Sequence, residues 1–459
     1  MEGLIMAGQL ILGLSILVTL HEFGHFITAK WFKMRVDKFY LFFDFLFPIP
    51  TVLNFALFKK KVGDTEYGLG WFPLGGYVSI AGMIDETQDA ADLAKDPEPW
   101  EFRAKPAWQR LIVMLGGVIV NVITGVVIFV CLTYSNGNNF ISKTELNKNG
   151  IVALELGKQI GLQTGDKIVK VNGSDFKSLA DLRTSDVLLG DNSSYTVLRG
   201  DQTIEVKIPS DFIEKLSDKK AGFIEPMAAF KVAAVSAPEQ PSMFGGPSGE
   251  MLPAFSAGLK EGDYITSVNQ TPIRFYHEAK EAISKEAGKP IRLGIMRQGK
   301  ADTLEMVVAK TGQIGFLPEL LIQMTHEDYS FGQAIGIGSG RAFSVVSDNV
   351  RGFKKIATGD VSASKALSGP IGIAQMFGGV WDWSRFWMLT GLLSMALAFM
   401  NILPIPALDG GHAIFLIYEM ITGKPASEKV LEKAQQVGML ILLALMAYTF
   451  GNDIFKAFF

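Results

Sequence analysis

A single cysteine, Cys131, stands in 459 residues, so no disulfide can form within the chain. It lies inside an apolar run and reads as a small hydrophobe. Charge is scarce and balanced: 43 Lys and Arg face 46 Asp and Glu, together 19% of the residues, for a net charge of -3. That balance argues against a surface built for nucleic acid, and 48% hydrophobic residues argue against intrinsic disorder. Only five histidines occur, and two of them, His21 and His25, lie four residues apart beside Glu22. What the chain has in excess is apolar sequence, and that excess is concentrated in a few runs.

No Asp, Glu, Lys, Arg or His occurs in Gly3 to Leu20, Leu111 to Ser142, Phe386 to Leu408 or Ala434 to Asn452. A helix crossing a bilayer needs about 20 residues. The runs therefore predict four transmembrane helices, at about 3–32, 110–133, 385–403 and 432–452. The first begins Met1-Glu2 without a basic start or an obvious small-residue cleavage site, and runs on through Phe26, Ile27 and Trp31. It reads as a retained span, not a signal peptide. A fifth run, Phe39 to Phe58, carries Asp44, Pro48 and Pro50 and reads as membrane-dipping irregular or strand structure. Lys30, Lys33, Arg35 and Lys38 follow the first span, and Arg103, Lys105 and Arg110 precede the second. By the positive-inside rule the segment from about 33 to 110 is cytoplasmic, and the N-terminus and the segment from about 135 to 380 lie outside.

That outer segment repeats itself. Gly161-Leu162-Gln163-Thr164-Gly165-Asp166-Lys167-Ile168-Val169-Lys170-Val171-Asn172 recurs 97 residues later as Gly258-Leu259-Lys260-Glu261-Gly262-Asp263-Tyr264-Ile265-Thr266-Ser267-Val268-Asn269. A period this long marks a duplicated domain and not a solenoid. The pattern resembles circularly permuted PDZ domains, where glycines allow a tight turn and alternating Ile and Val form a half-buried strand. Such domains bind extended peptides by strand addition; the plainer reading is two domains acting as steric bulk. Beyond the repeat, Phe331 to Thr358 mixes apolar residues with Arg341, Arg351, Lys354 and Lys355, the pattern of amphipathic helices lying on the outer membrane surface. The acidic stretch Asp85 to Glu98 reads as a solvated cytoplasmic loop.

His21-Glu22-Phe23-Gly24-His25 places two imidazoles one helical turn apart on one face, the spacing that holds one zinc, with Glu22 near an open coordination position. The alternative is a membrane-edge helix with two satisfied histidines, but ionisable groups in apolar surroundings are costly and point to function. At about 1.5 Å per residue, His21 lies roughly 27 Å along from Gly3, on the cytoplasmic side. A catalytic zinc needs a third ligand. The third span ends Asn401-Ile402-Leu403-Pro404-Ile405-Pro406-Ala407-Leu408-Asp409-Gly410-Gly411-His412, where the prolines stop the helix and let Asp409 turn inward on the same side of the membrane. Asp409 is the expected ligand; His412 is a rival, better suited to a capping or supporting role. Asn401, and Asn121 in the second span, are placed to hydrogen-bond an unwound peptide or, equally, to bond helices to one another.

HEFGH in the first span, N-x-x-P-x-P-x-L-D-G in the third, Gly117-Val118-Ile119-Val120-Asn121 in the second, Pro73-Leu74-Gly75-Gly76-Tyr77-Val78, and a PDZ-like pair between the second and third spans together resemble the site-2 protease family of intramembrane zinc metalloproteases, in its regulator-of-sigma-E branch. The resemblance covers nearly the whole chain. The aromatic run Phe39 to Phe58 departs from it, being longer than expected before the PLGGYV segment. The fold class implied is a polytopic α-helical membrane protein with a membrane-associated β region and two inserted α+β PDZ-like domains. Its parts are a first half of the membrane core at 1–134, with the β region at about 36–82, PDZ-like domains at 135–222 and 223–312, an amphipathic linker at 313–379, and a second half at 380–459.

The resemblance also implies a zinc-dependent endopeptidase of the bacterial inner membrane. It cuts single-pass membrane proteins after a first protease has trimmed them, anti-sigma factors and leftover signal peptides being the substrate types. His21, His25 and Asp409 would hold Zn2+, Glu22 would move the proton, and the PDZ-like pair would exclude untrimmed substrates. Gly75 and Gly76 lie in a strand-like segment where backbone approaches closely, suited to holding substrate by strand addition. The competing class is a non-catalytic scaffold or metal transporter. A transporter would need ionisable groups at several depths, and a scaffold would have no use for Glu22.

Overall fold

The computed structural model describes residues 2–46, 53–73, 75–83, 96–190, 192–216, 222–235 and 253–458. The chain forms two compact units, Met1–Gly137 with Asp328–Phe459, and Asn138–Glu327.

The first unit is helical. Helices α1 (Glu2–Trp31), α2 (Ala107–Asn136), α3 (Phe331–Thr358), α4 (Pro370–Phe377), α5 (Trp383–Ile402), α6 (Asp409–Thr422) and α7 (Glu428–Phe458) follow one another along the chain. Of these, α1, α2, α5 and all but the ends of α7 are long and apolar enough to cross a membrane. Their ends reach past the uncharged runs into charged flanks, because helical hydrogen bonding continues where side chains already meet water. Pro106 precedes α2 and Gly137, at φ 60°, ends it. Asp382 caps α5 by accepting from the Ser384 and Arg385 amides. Helices α1 and α2 touch backbone to backbone: a Cβ on Gly24 would stand 2.3 Å from the Gly116 carbonyl oxygen, and one on Gly116 2.5 Å from that of Gly24. Small residues that let helices meet this closely replace the hydrophobic drive that lipid does not supply.

Residues 331–358 form one helix, started by a Ser330–Gln333 capping box, that packs lengthwise on α2 instead of lying on an outer surface. Phe331 meets Tyr134, and Ala342 is buried with Phe129 and Met395. Further along the helix, Phe353 meets Phe399. The reason is a buried stripe of small residues, Ala334, Gly338 and Ala342, at four-residue spacing. Gly338 sits so close to α2 that a Cβ would stand 2.6 Å from the Val130 Cα. At the other end of the unit, Asp453 of α7 accepts from the Gly369 and Gly372 amides at 2.9 Å, fastening α7 to the first turn of α4. The Ser368-Gly369-Pro370 turn thereby has a structural purpose.

Between α1 and α2 lies a four-stranded sheet of β1 (Val36–Leu41), β2 (Ala56–Val62), β3 (Thr65–Gly70) and β4 (Tyr77–Ile80), in the order β2-β3-β1-β4. β1 is parallel to β3 and antiparallel to β4. The aromatic run is thus the end of β1, a bridge from Phe43 to Phe72, and the start of β2; its residues 47–52 lie outside the described ones, as do Leu74 and most of the acidic stretch 85–98. Exposed Lys59, Lys60 and Lys61 keep the β2 edge from pairing with another chain.

In the second unit strands β5 (Asn138–Ile141) to β17 (Met324–Glu327) surround two cores, one around Ile168, Tyr195 and Phe212, the other around Ile265, Leu293 and Ile295. The repeat explains itself physically. Gly165 (φ 97°) and Gly262 (φ 84°) turn the chain, and Asp166 and Asp263 then accept a fork from Arg199 and Arg297 at 2.7–2.8 Å. Each arginine also donates to the carbonyl of the first glycine, Gly161 or Gly258, at 2.8 Å. Two strands form within 316–327, expected in the linker: β16 (Phe316–Leu320) pairs with β11 (Phe230–Val235), and β17 pairs with β5.

Candidate metal centre

The site forms where the last turns of α1, the first half of α2 and the α5–α6 connection meet. His21 and His25 share a face of α1. The third residue arrives by a turn that the prolines dictate: α5 stops at Leu403, Ala407 takes a left-handed φ of 86°, and α6 starts at Asp409. A non-glycine residue at positive φ is strained and tends to persist where geometry matters. Gly410 and Gly411 let α6 begin directly against that turn, where a Cβ would stand 2.4 Å from the Leu403 carbonyl oxygen or 2.5 Å from that of Ile405.

His21 Nε2 lies 3.3 Å from His25 Nε2 and 3.3 Å from Asp409 Oδ2, and His25 Nε2 lies 3.5 Å from Asp409 Oδ2. Ligands placed tetrahedrally at about 2.0–2.2 Å from a zinc ion stand roughly 3.3–3.6 Å apart. The triangle therefore fits that ion without rearrangement. Asp409 Oδ2 is buried and has no hydrogen-bond partner, as expected of an oxygen aimed at a cation. Among the described residues these three form the group able to hold a metal, and His412 is not part of it. A carbonyl can only accept, so the 2.8 Å contact of His25 Nδ1 with the Val113 carbonyl puts the proton on Nδ1 and leaves the Nε2 lone pair facing the triangle. Gly117 makes room for both rings, since a Cβ there would stand 2.5 Å from His21 Cε1 and 2.6 Å from His25 Nε2.

The triangle opens into a cavity of about 240 Å³ lined also by Glu22, His412, Phe43, Phe45, Tyr77, Val78 and Ile80. The aromatic run thus supplies part of the wall. Buried Asp44 accepts from the Tyr77 hydroxyl at 3.1 Å, fixing that wall. A second cavity of about 310 Å³ shares Met83, His412 and Gln435 with the first. Arg110, which is ion-paired with Glu419, lines it.

The expected site residues fall into two groups. His21, Glu22, His25 and Asp409 come together. Asn401 Nδ2 lies 3.4 Å from His21 Nε2, and Asn121 Nδ2 lies 3.2 Å from His21 Nδ1; neither asparagine is in the cavity wall. Gly75 packs against the Phe43 ring and Gly76 against the Tyr40 carbonyl oxygen, so their lack of a Cβ serves the sheet's own packing, and the following Tyr77 and Val78 are what reach the cavity. The Val113 carbonyl, Gly117, Phe43 and Phe45 were not named as site residues, although Gly117 stands four residues before Asn121 and Phe43 and Phe45 belong to the Phe39 to Phe58 run read as membrane-dipping structure.

A sequence profile described as peptidase family M50 matches residues 9–445. The chain is 30% identical over 471 aligned positions, 97% of each chain, to a protein of Neisseria meningitidis serogroup A named as a zinc metalloprotease. It is 28% identical over 475 positions to the regulator of sigma E protease of Salmonella typhi, covering 96% of this chain and 97% of the other. Protease RseP of Yersinia pestis is 26% identical over 466 positions, with the same coverage.

Proposed function

This chain belongs to peptidase family M50, and from that membership we propose that it cuts peptide bonds within the membrane segments of single-pass membrane proteins, with zinc held by His21, His25 and Asp409. The observation that carries this reading is the triangle of 3.3–3.5 Å between their ligating atoms. Bound zinc supplies the Lewis acidity that makes water nucleophilic at neutral pH and polarises the scissile carbonyl. Glu22, in the same cavity, takes the proton from the attacking water and returns it to the leaving amine. No side-chain nucleophile is needed.

A transmembrane helix must unwind before it can be cut, and its freed amides and carbonyls need partners. β4 stands at the end of the sheet order, and its residues Tyr77, Val78 and Ile80 line the cavity. An unwound segment laid along β4 gains strand-like hydrogen bonds beside the metal, and Asn401, outside the cavity wall but only half-buried beside His21, is the side-chain amide this reading assigns to the freed backbone. The Salmonella typhi relative is named for the regulation of sigma E. The substrate class that follows is anti-sigma factors already shortened outside the membrane, with signal-peptide remnants as a second class. The duplicated part within 138–327 is read as a PDZ-like pair outside the bacterial inner membrane that bars untrimmed chains by size.

The test is reconstitution of the full chain in proteoliposomes with a single-pass substrate whose extracytoplasmic part has been shortened. Cleavage inside the membrane segment is expected, lost with 1,10-phenanthroline and restored by zinc. Cleavage at the same rate in protein stripped of metal would remove the reading.

A further inference from the structure

Asn121 is fully buried on α2, outside the cavity wall, and is not placed to meet a substrate. Its neighbours are parts of the site. Nδ2 lies 3.2 Å from His21 Nδ1, Oδ1 is buried without a partner, and its backbone carbonyl accepts from Ser394 Oγ of α5 at 2.7 Å. Gly117, one helical turn earlier, lies against the same Nδ1–Cε1 edge of that imidazole, where an added Cβ would stand 2.6 Å from Nδ1.

We infer that Asn121 is a positioning residue for the metal ligand His21, its amide oxygen accepting the His21 Nδ1–H when Nε2 faces the metal. The inference rests on the reading of His21 as a ligand. A neutral imidazole carries one proton. With that proton on Nε2, Nδ1 is an acceptor and Asn121 Nδ2 donates to it. With the Nε2 lone pair committed to a metal, Nδ1 carries the proton, and an amide N–H facing it would be repulsive. Turning the amide end for end exchanges oxygen and nitrogen within the same shape, and brings the unpartnered Oδ1 to the Nδ1–H.

The arrangement has a counterpart on the same helix. His25 Nδ1 is held by the Val113 carbonyl at 2.8 Å, so with the Asn121 amide turned α2 supplies one acceptor to each imidazole, a main-chain oxygen for His25 and a side-chain oxygen for His21. Acceptors behind a ligating histidine fix its tautomer and ring orientation and raise its basicity. The GxxxN spacing of Gly117 and Asn121 then has a physical reason: one residue clears space for the rings and the other, a turn later, aims the first of them. This role replaces the substrate contact expected of Asn121.

Two substitutions in the full chain test it, with zinc affinity measured by competition against a chromophoric chelator and KM and kcat measured on a trimmed substrate. Asn121→Leu keeps the size and removes the acceptor; zinc affinity is expected to fall about 10- to 100-fold. Asn121→Asp keeps the acceptor and loses the donor; zinc affinity is expected to stay at or above that of the unsubstituted protein, with KM unchanged. Loss of zinc affinity in Asn121→Asp would overturn the inference even if Asn121→Leu fails to fold. Unchanged zinc affinity in both variants with a raised KM would overturn it in favour of a substrate contact. Absence of stoichiometric zinc from the unsubstituted protein would instead remove the metal site itself.

Discussion

Gly117 shows how little space the site leaves. A single added carbon would stand 2.5 Å from one imidazole and 2.6 Å from the other, and because α2 is pinned to α1 at Gly24 and Gly116 the helix cannot back away. Gly117→Ala is therefore expected to turn the histidines out of register and lower zinc affinity by about tenfold or more, the order seen when ligand orientation is lost, while the four spans stay assembled. Wild-type zinc affinity in that variant, measured by chelator competition, would show that the rings have room to spare. At this scale the sequence was legible where chemistry lives in side chains. The HExxH spacing and the prolines around Ile405 pointed to His21, Glu22, His25 and Asp409, four side chains that the structure brings to one cavity. It was mute where a main-chain atom does the work, as the Val113 carbonyl does for His25.

Among elements, the repeat was readable because its Gly-Asp turn and the later arginine are parts of one device. Burial works against ionisation of Asp263, but the Arg297 fork outweighs it and holds the carboxyl below its ordinary range. A carboxylate with a depressed folded-state pKa adds stability that is present in full above its unfolded value, about 3.9, and is lost as pH falls through the lower folded value. Amide exchange in strand Tyr264–Val268, followed in the full chain, is expected to be protected near neutrality and to lose protection only below about pH 4. In Arg297→Gln burial acts without the fork, so protection is expected to be lower near neutrality and not to fall further across this acid range on account of Asp263. An exchange profile in the unsubstituted chain that is flat into strong acid would contradict this. Helix α3 was misread because its charges suggested a surface, whereas the Ala334, Gly338 and Ala342 stripe decides its packing. Strands β16 and β17 escaped notice because their partners lie far back in the sequence, and pairing over such distances leaves no local pattern.

Over the whole molecule, two segments separated by the Asn138–Glu327 insert, one ending at Gly137 and one beginning at Asp328, close into a single membrane unit, and the three residues able to hold a metal come from both. Within the other unit β5 and β17, its first and last strands, pair antiparallel, so that 190 residues from Asn138 to Glu327 enter and leave side by side. The number and order of spans and the existence of a duplicated insert followed from hydropathy and the repeat; the closure of the insert on itself did not. Assembly of the site from both halves matters only if it performs hydrolysis, and in the proposed reading that step depends on Glu22. Glu22→Gln changes a proton acceptor into an amide of the same shape and leaves His21, His25 and Asp409 untouched. Measured on a trimmed single-pass substrate in proteoliposomes, this variant is expected to retain zinc at the unsubstituted level and to lose cleavage by at least about 100-fold. Full zinc with undiminished cleavage would contradict the account.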